Sequence, residues 1–562
     1  MHRPLALALA LAAAPNAALA CGGFFCSSVP IDQSKERIVF GIDEAKHEVE
    51  AHVQIFYQGA AQEFAWVVPV PAIPEVGVSS DELFQQLDAR TAPQFYYTEE
   101  YLGSCNWDMV FYDEDMADAD GALPPGAAEG AGGGGVTVIE QAQVGPYDQV
   151  TLQASDEAVL LEWLNDNGYI IPETVGQALA PYVAAGQYFV ALKLSNDRDS
   201  GDITPIRMRY AGDAASIPLV LTSIAATPDM RLQPFILSTE RRAVPSNYLH
   251  VRINEAAIDW LSYGSNYDAV VTKAADEAGG QAFATDYAGP SNVMDRSVYW
   301  ADRYDLDQLR TFTDPIEFVN NLLWMGFPRN AQVQNLLRAF IPMPQRLVSR
   351  GIDERDFYNC LECYRDDLRG MNFDPDAFVD ALDEVIVTPA RDAQTMLDHF
   401  TYLTRMTSSM SPDEMTRDPL FVLNGDMEAV SNVHSARLVV DCTNGEDYTA
   451  ASRNLILQDG TEIAVPSWED YWARYNNGTS YVDDLDVPAA AEIEQTGASG
   501  APTTVADNYD VIAAGVDLYN QQFIQAQLDE ASDAAACGGC DATGATGTWT
   551  ALGLLALGLR RR

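Results

Sequence analysis

The chain has 562 residues, of which 82 are acidic and 33 are lysine or arginine, so its formal net charge is −49. A surface this negative repels nucleic acid and anionic headgroups, which excludes nucleic acid as a partner. Hydrophobic residues make up 47% of the chain. This content excludes a disordered protein, and the length predicts two or three domains.

Residues 1–20 have the pattern of a secretory signal peptide: a basic start, an apolar run and small residues before a cleavage point at Ala20. Cleavage there leaves Cys21 as the first mature residue, and we expect it to form a disulfide bond with Cys26. Lipidation of Cys21 is the alternative. It is disfavoured because Leu19 lies one place too close to the cysteine for a good lipobox.

Residues 21–112 are predicted to be rich in β-strands. Ile38, Phe40 and Ile42 alternate along the sequence, which is typical of a strand with one buried face. Residues 113–135 are acidic and then glycine-rich, which predicts an exposed loop or linker.

Residues 136–290 predict a mixed α+β part. Helices are expected to begin near Asp156 and Pro172, since both residue types favour helix starts. Strands are expected at 187–195, 203–210, 217–226 and 231–238.

Helices dominate the prediction for residues 291–412. Residues 413–485 predict β-hairpins, with turns at Gly445 and Gly460. Residues 486–503 are mostly small and are predicted to be a linker.

Residues 504–536 predict one long amphipathic helix. Apolar residues recur there at alternating steps of four and three, at Val505, Tyr509, Ile512, Val516, Tyr519 and Phe523. A coiled coil, a stalk and a helix docked on the body all fit this spacing. Docking is favoured because the apolar seam fades at Ala526.

Residues 537–562 form a distinctive tail, with two cysteines at Cys537 and Cys540, a short apolar stretch and three final arginines. The apolar stretch has 11 residues, Trp549–Leu559, and a spanning helix needs about 20. The tail resembles the C-terminal sorting signal of myxobacteria, which is removed during attachment to the cell surface. The resemblance implies that Cys540 is the anchoring residue and that the partner is the envelope membrane. A short transmembrane anchor left in place is the alternative.

The remaining cysteines of an exported protein are expected to be bridged. Cys105, Cys360, Cys363 and Cys442 can pair in three ways, and the sequence does not choose among them. Cys360 and Cys363 have redox spacing, but no βαβ pattern surrounds them, so a structural bridge is expected there.

Several segments carry a resemblance to an uncharacterised bacterial family, domain of unknown function 2330. They are Cys21-Gly-Gly-Phe-Phe-Cys26, RIVFGID at 37–43, WVVPVPAIP at 66–74, WLNDNGYIIP at 163–172, YFVALKL at 188–194, AVPSNYLHVRINEAAIDW at 243–260 and DEAGGQAF at 276–283. The resemblance implies no activity, because the family has no assigned chemistry.

No catalytic motif stands out. His47 and His52 flank two glutamates, but a zinc-protease motif needs two histidines four apart on a helix; these are five apart on a predicted strand. The GxGxxG match at Gly130–Gly135 lacks the strand before it and the helix after it that dinucleotide binding requires. The other histidines are scattered, and nothing in the sequence selects a catalytic one.

One acidic turn is a candidate calcium site. Asp197, Asp199 and Asp202 lie between two predicted strands and supply the oxygen ligands that Ca²⁺ prefers. The cluster does not fit the EF-hand register, so a solvated turn is the favoured alternative. No other cofactor is predicted.

The sequence therefore predicts an exported α+β protein, stapled by disulfides and displayed at the cell surface. Its predicted role is binding, of a protein or glycan partner that the sequence does not name, or envelope structure. A surface hydrolase whose active site is assembled in space is the alternative. A polar pocket with a histidine beside a nucleophile would favour the hydrolase.

Overall fold

The computed structural model describes residues 33–55, 65–106, 136–169, 175–195 and 203–537. Helices account for 36% and strands for 32% of the structure, which confirms the predicted α+β class. In the described part of the chain, no helix is both long and apolar enough to span a membrane.

Several predicted features lie outside the described residues and stay predictions. They are the cleavage at Ala20, the Cys21–Cys26 bridge, the calcium ligands Asp197, Asp199 and Asp202, the loop at 113–135 and the tail with Cys540.

The strands are β1 (Gln33–Asp43), β2 (Glu48–Ile55), β3 (Ala65–Val70), β4 (Glu75–Val78), β5 (Gln94–Gly103), β6 (Thr137–Val144), β7 (Tyr147–Gln153), β8 (Tyr188–Leu194), β9 (Ile206–Ala211), β10 (Ala215–Ser216), β11 (Ala226–Ser238), β12 (Arg242–Pro245), β13 (Leu249–Ile253), β14 (Ala282–Pro290), β15 (Tyr402–Met410), β16 (Leu420–Asn424), β17 (Val433–Cys442), β18 (Ser452–Ile456), β19 (Glu462–Val465), β20 (Ala490–Gln495) and β21 (Thr503–Asp507).

The helices are α1 (Asp81–Thr91), α2 (Glu157–Asp166), α3 (Val175–Ala184), α4 (Leu219–Thr222), α5 (Tyr267–Glu277), α6 (Leu306–Leu309), α7 (Pro315–Trp324), α8 (Ala331–Phe340), α9 (Gln345–Val348), α10 (Glu354–Asn359), α11 (Arg365–Leu368), α12 (Pro375–Leu382), α13 (Thr388–His399), α14 (Trp468–Asn476) and α15 (Tyr509–Cys537). A π-helical segment, Asp383–Val387, joins α12 to α13.

The chain divides into two compact units. Unit 1 comprises the described residues within 33–97, 136–436 and 488–510, and unit 2 comprises those within 98–106, 437–487 and 511–537.

Unit 1 is built on a ten-stranded sheet in the order β21-β20-β13-β14-β15-β11-β1-β2-β9-β4. Strand β1 lies within it, parallel to β11 and antiparallel to β2. The predicted alternation in β1 is confirmed, because Ile38, Phe40 and Ile42 belong to one hydrophobic core. Val39 points to the opposite face and packs in a second core with Phe84 of α1.

Unit 1 also contains two smaller sheets, β10-β16-β12 and β3-β8-β7-β6. Helices α2 and α3 pack on the second of these through Leu160 and Leu179. Helices α6 to α12 share a core centred on Phe318, Phe357 and Phe378, which agrees with the helices expected after residue 291. Strand β15 nevertheless occupies the end of that predicted helical region.

The strand expected at 217–226 is wrong. Pro218 instead caps a short helix, α4, and Leu219 and Leu221 of that helix are buried. A short apolar run does not distinguish a buried strand from a buried helix, and Pro218 has no N–H to donate to a sheet.

The linker expected at 486–503 contains strand β20, which pairs with β13 in the ten-stranded sheet. Ala489, Ala490 and Ala491 are at most 6% exposed. Their small side chains therefore pack inside unit 1, whereas the composition alone suggested a linker.

Unit 2 contains a four-stranded sheet in the order β19-β18-β17-β5. Cys105 and Cys442 form a disulfide bond in this unit, while Cys360 is bonded to Cys363 in unit 1. The structure thus selects one of the three pairings that the sequence left open.

Helix α15 is docked on unit 2, as favoured from its sequence. Ile512, Val516 and Tyr519 of the predicted seam are at most 6% exposed. The seam is wrong at its start, because Val505 lies in strand β21 and the side chains of Val505 and Tyr509 are 58% and 48% exposed. Asn520 accepts a hydrogen bond from the Ala464 N–H (2.8 Å) and donates one to the Glu462 carbonyl (2.8 Å). These contacts hold the helix against the edge strand β19.

Candidate functional site

A cavity of about 480 Å³ lies in unit 1, in the size range of small-molecule sites. Strands β12, β13 and β14 supply its central polar residues, Arg242, His250, Arg252 and Thr285, and the loop at 426–430 supplies part of its rim.

Strand pairing places the central residues. His250 of β13 lies directly opposite Glu494 of β20 in the antiparallel pair. The register between β14 and β15 shifts at Asp286, because Thr285 pairs with Met406 whereas Tyr287 pairs with Arg405. Bulges of this kind re-aim side chains beside functional sites, and here both Thr285 and Asp286 line the cavity.

His250 bridges an acid and a hydroxyl. Its Nδ1 lies 2.9 Å from Glu494 Oε2 and its Nε2 lies 3.0 Å from Thr285 Oγ1. Burial lowers the pKa of His250 below its ordinary value, against the raising effect of the Glu494 hydrogen bond. A neutral ring that donates from Nδ1 to the carboxylate leaves Nε2 as an acceptor for the Thr285 hydroxyl.

Glu494 keeps its charge although it is only 2% exposed. Burial would raise the pKa of its carboxyl, but hydrogen bonds from His250 and Arg252 bring that pKa below the ordinary value. Arg252 Nε lies 3.1 Å from Glu494 Oε1. The acid therefore holds the orientation of the His250 ring as a carboxylate.

Arg242 is a buried cation that lines the cavity. It is 5% exposed, and within the described ranges no carboxylate oxygen lies within 4.0 Å of its guanidinium. Its Nη1 donates to the Glu428 carbonyl (3.0 Å) and its Nη2 to Thr285 Oγ1 (2.9 Å), while Nη2 also lies 3.2 Å from His250 Nε2.

The Nε atom of Arg242 is buried and has no hydrogen-bond partner among the described residues. Burial lowers the pKa of Arg242 to about 10, so the side chain stays charged at neutral pH. Leaving a buried charge without a counter-ion is costly unless a ligand supplies one.

The other charges that line the cavity are satisfied or exposed. Asp286 accepts hydrogen bonds from Tyr267 (2.6 Å) and Arg405 (2.9 Å). His434 lies 2.7 Å from Glu255 and stacks on Phe95, with ring centroids 4.7 Å apart.

Asp426 and Glu428 are exposed in the loop at the rim. The cavity is thus positive at Arg242 and acidic at this part of its rim.

A second cleft of about 440 Å³ in unit 1 serves as a contrast. Its charges are matched: Arg209 lies 2.7 Å from Glu50, and Asp43 lies 2.9 Å from both Lys46 and His399. Among the described residues that line this cleft, every charged side chain has an ion-pair partner.

The zinc-protease motif is excluded as the sequence indicated. Glu48–Ile55 is a strand, and His47 is exposed while His52 is only 1% exposed. In the described part of the chain no group of three or more His, Cys, Asp or Glu side chains is arranged to hold a metal ion. The calcium candidate at 197–202 lies outside that part.

The arrangement of a histidine between a hydroxyl and an acid is not unique to the cavity, because His52 has it too. It lies 2.6 Å from Ser79 Oγ and 3.1 Å from Glu50 Oε1, so it also joins a hydroxyl to an acid. Ser79 and His52 are both 1% exposed, and neither lines the cavity. A histidine between a hydroxyl and an acid becomes a candidate site only where a ligand can reach it.

Sequence reasoning did not find the central residues. His250 falls inside a segment that carries the family resemblance, yet its partner Glu494 lies 244 positions further on, in the supposed linker. A polar residue within a short apolar strand was the available signal, because buried polar groups need partners.

These features define an α+β protein with a polar cavity built around a buried histidine and an unmatched arginine. The chain belongs to the family of uncharacterized proteins conserved in bacteria (DUF2330), whose profile matches residues 15–323, more than half of the chain. No curated protein and no solved structure is similar to it. Arg242, His250 and Thr285 lie within the matched residues, and Glu494 lies beyond them.

Proposed function

We propose that this protein is exported, is held at the cell surface through its processed C-terminal tail, and binds a small carboxylate in the cavity of unit 1. The observation that carries the binding proposal is Arg242, a buried guanidinium that has no carboxylate within 4.0 Å in the described part of the chain. A ligand carboxylate would supply the missing counter-charge and accept hydrogen bonds from the arginine.

The acidic loop at 426–430 restricts the charge that a ligand of the cavity can carry. Asp426 and Glu428 are exposed in the loop at 426–430 and add negative charge to the lining of the cavity, so a ligand with two negative charges would be repelled more strongly than one with a single charge. A monocarboxylate with an apolar or cationic remainder fits better than a dicarboxylate. The aromatic ring of Phe95 lines the cavity and suits an apolar remainder.

Replacing Arg242 with glutamine is expected to weaken butyrate binding by at least about tenfold. The variant loses a charge-assisted hydrogen bond, worth about 1.5–3 kcal/mol. Isothermal titration of the purified full chain with butyrate measures this, and the neutral butyramide reports any effect that does not depend on ligand charge. Succinate is expected to bind more weakly than butyrate.

Arg209→Gln is the matched control, because Arg209 is a partly buried arginine whose carboxylate partner is Glu50. It should leave butyrate binding unchanged. Equal losses of butyrate affinity in Arg242→Gln and Arg209→Gln would contradict the proposed site. Wild-type protein that does not bind butyrate would contradict it as well.

The export proposal rests on the signal-peptide pattern and on the tail from Cys537. Intact-mass measurement of protein extracted from the cell surface is expected to show loss of residues 1–20 and of the segment after Cys540. Cys540→Ala should release the protein or retain it in the inner membrane. Surface protein that still carries Arg560–Arg562 would rule out processing of the tail.

A further inference from the structure

We propose that the cavity hydrolyses carboxylic esters, with Thr285 as the nucleophile, His250 as the general base and Glu494 as the residue that positions His250. This rests on the proposed function, because the carboxylate that Arg242 would bind is then the acid product of the reaction.

The three residues satisfy the distances that such a mechanism needs. Thr285 Oγ1 lies 3.0 Å from His250 Nε2, and His250 Nδ1 lies 2.9 Å from Glu494 Oε2. Both contacts are within the range expected between nucleophile, base and orienting acid. His250 and Glu494 are at most 4% exposed, whereas Thr285 is partly exposed and lines the cavity.

Arg242 adds a cation beside the Thr285 hydroxyl. Its Nη2 lies 2.9 Å from Thr285 Oγ1, so an ester group attacked by that oxygen would lie next to a cation, which would stabilise the negative charge of the transition state. Because no carboxylate neutralises Arg242 at close range among the described residues, its charge is available to the transition state.

Ester hydrolysis at this site needs no reagent other than water. Thr285 Oγ1 attacks the ester carbonyl carbon while its proton passes to His250 Nε2. The intermediate collapses, the bond to the alkoxy oxygen breaks, and the alcohol leaves with the proton from His250. Water then attacks the acyl-threonine, gives a proton to His250 and releases the acid, and Thr285 regains that proton.

The Ser79–His52–Glu50 set provides the internal comparison. It has the same residue classes at similar distances, but Ser79 and His52 are both 1% exposed and do not line the cavity. Substrate therefore has access to Thr285 and not to Ser79, and Ser79→Ala is the matched control for Thr285→Ala.

The test uses the purified full chain and 4-nitrophenyl butyrate. Wild-type protein is expected to release 4-nitrophenol and to carry a butyryl group on the peptide that contains Thr285, detected by mass spectrometry. Thr285→Ala should lower kcat at least about 100-fold and abolish the adduct, while Thr285→Ser and Ser79→Ala should retain turnover. Glu494→Gln should lower kcat with little change in KM, as expected of a positioning residue.

The possible outcomes separate the two proposals. Turnover that is undiminished in Thr285→Ala overturns the assignment of the nucleophile. Butyrate binding without ester turnover or adduct overturns hydrolysis and leaves the binding site standing. Absence of both overturns hydrolysis together with the proposed binding of carboxylates.

Discussion

Replacing Asp286 with alanine is expected to lower the free energy of unfolding by about 3–5 kcal/mol, because it breaks a buried ion pair from one side. Arg405 is only 1% exposed and its Nε lies 2.9 Å from Asp286 Oδ2. Asp286 also accepts hydrogen bonds from Tyr267 (2.6 Å) and Thr407 (2.5 Å). Without Asp286, Asp88, at 3.0 Å, is the one ion-pair partner left to the buried guanidinium among the described residues.

Urea denaturation of the purified full chain, followed by fluorescence, measures the loss in free energy of unfolding. Asp392→Ala is the control, since Asp392 is a 44% exposed partner of Arg207 and its pair is worth at most about 1 kcal/mol. Similar midpoints for the two variants would show that the Asp286–Arg405 pair does not stabilise the fold.

The second large effect concerns the disulfide of unit 2. Serine at both Cys105 and Cys442 is expected to destabilise the unit by more than about 4 kcal/mol, because this bridge closes a loop with a sequence separation of 337. A bridge across a long loop removes much conformational entropy from the unfolded chain. The bridge between Cys360 and Cys363 has a separation of 3, so its removal should cost far less.

Thermal unfolding of the two double variants, monitored by circular dichroism under non-reducing conditions, provides the comparison. A loss for the Cys360/Cys363 variant as large as that for Cys105/Cys442 would contradict the loop-length explanation.

Local sequence patterns predicted much of the fold. The alternation in β1 specified which side chains enter which core, and three of the six residues of the predicted seam, Ile512, Val516 and Tyr519, form the buried face of α15. Both signals arise from neighbouring residues on one element. Their periodicity is therefore visible before any tertiary contact is known.

The cavity could not be predicted in the same way. It requires Glu494 opposite His250 in a strand pair, and Thr285 beside a register shift between β14 and β15. These contacts join residues that are distant in sequence. The small-residue composition around β20 also concealed a strand, because Ala489, Ala490 and Ala491 are small for packing reasons.

We propose that the cavity combines binding and hydrolysis, two of the roles that the sequence left open. A ligand carboxylate beside Arg242 would define a binding site, and the Thr285–His250–Glu494 set would extend the same site to an enzyme that produces that carboxylate. Both depend on the unmatched charge of Arg242.

A crystal structure of the protein grown with butyrate tests that dependence most directly. We expect butyrate in the cavity, with a carboxylate oxygen within hydrogen-bond distance of the Arg242 guanidinium. A cavity that holds only water at saturating butyrate, or butyrate bound with its carboxylate away from Arg242, would contradict it.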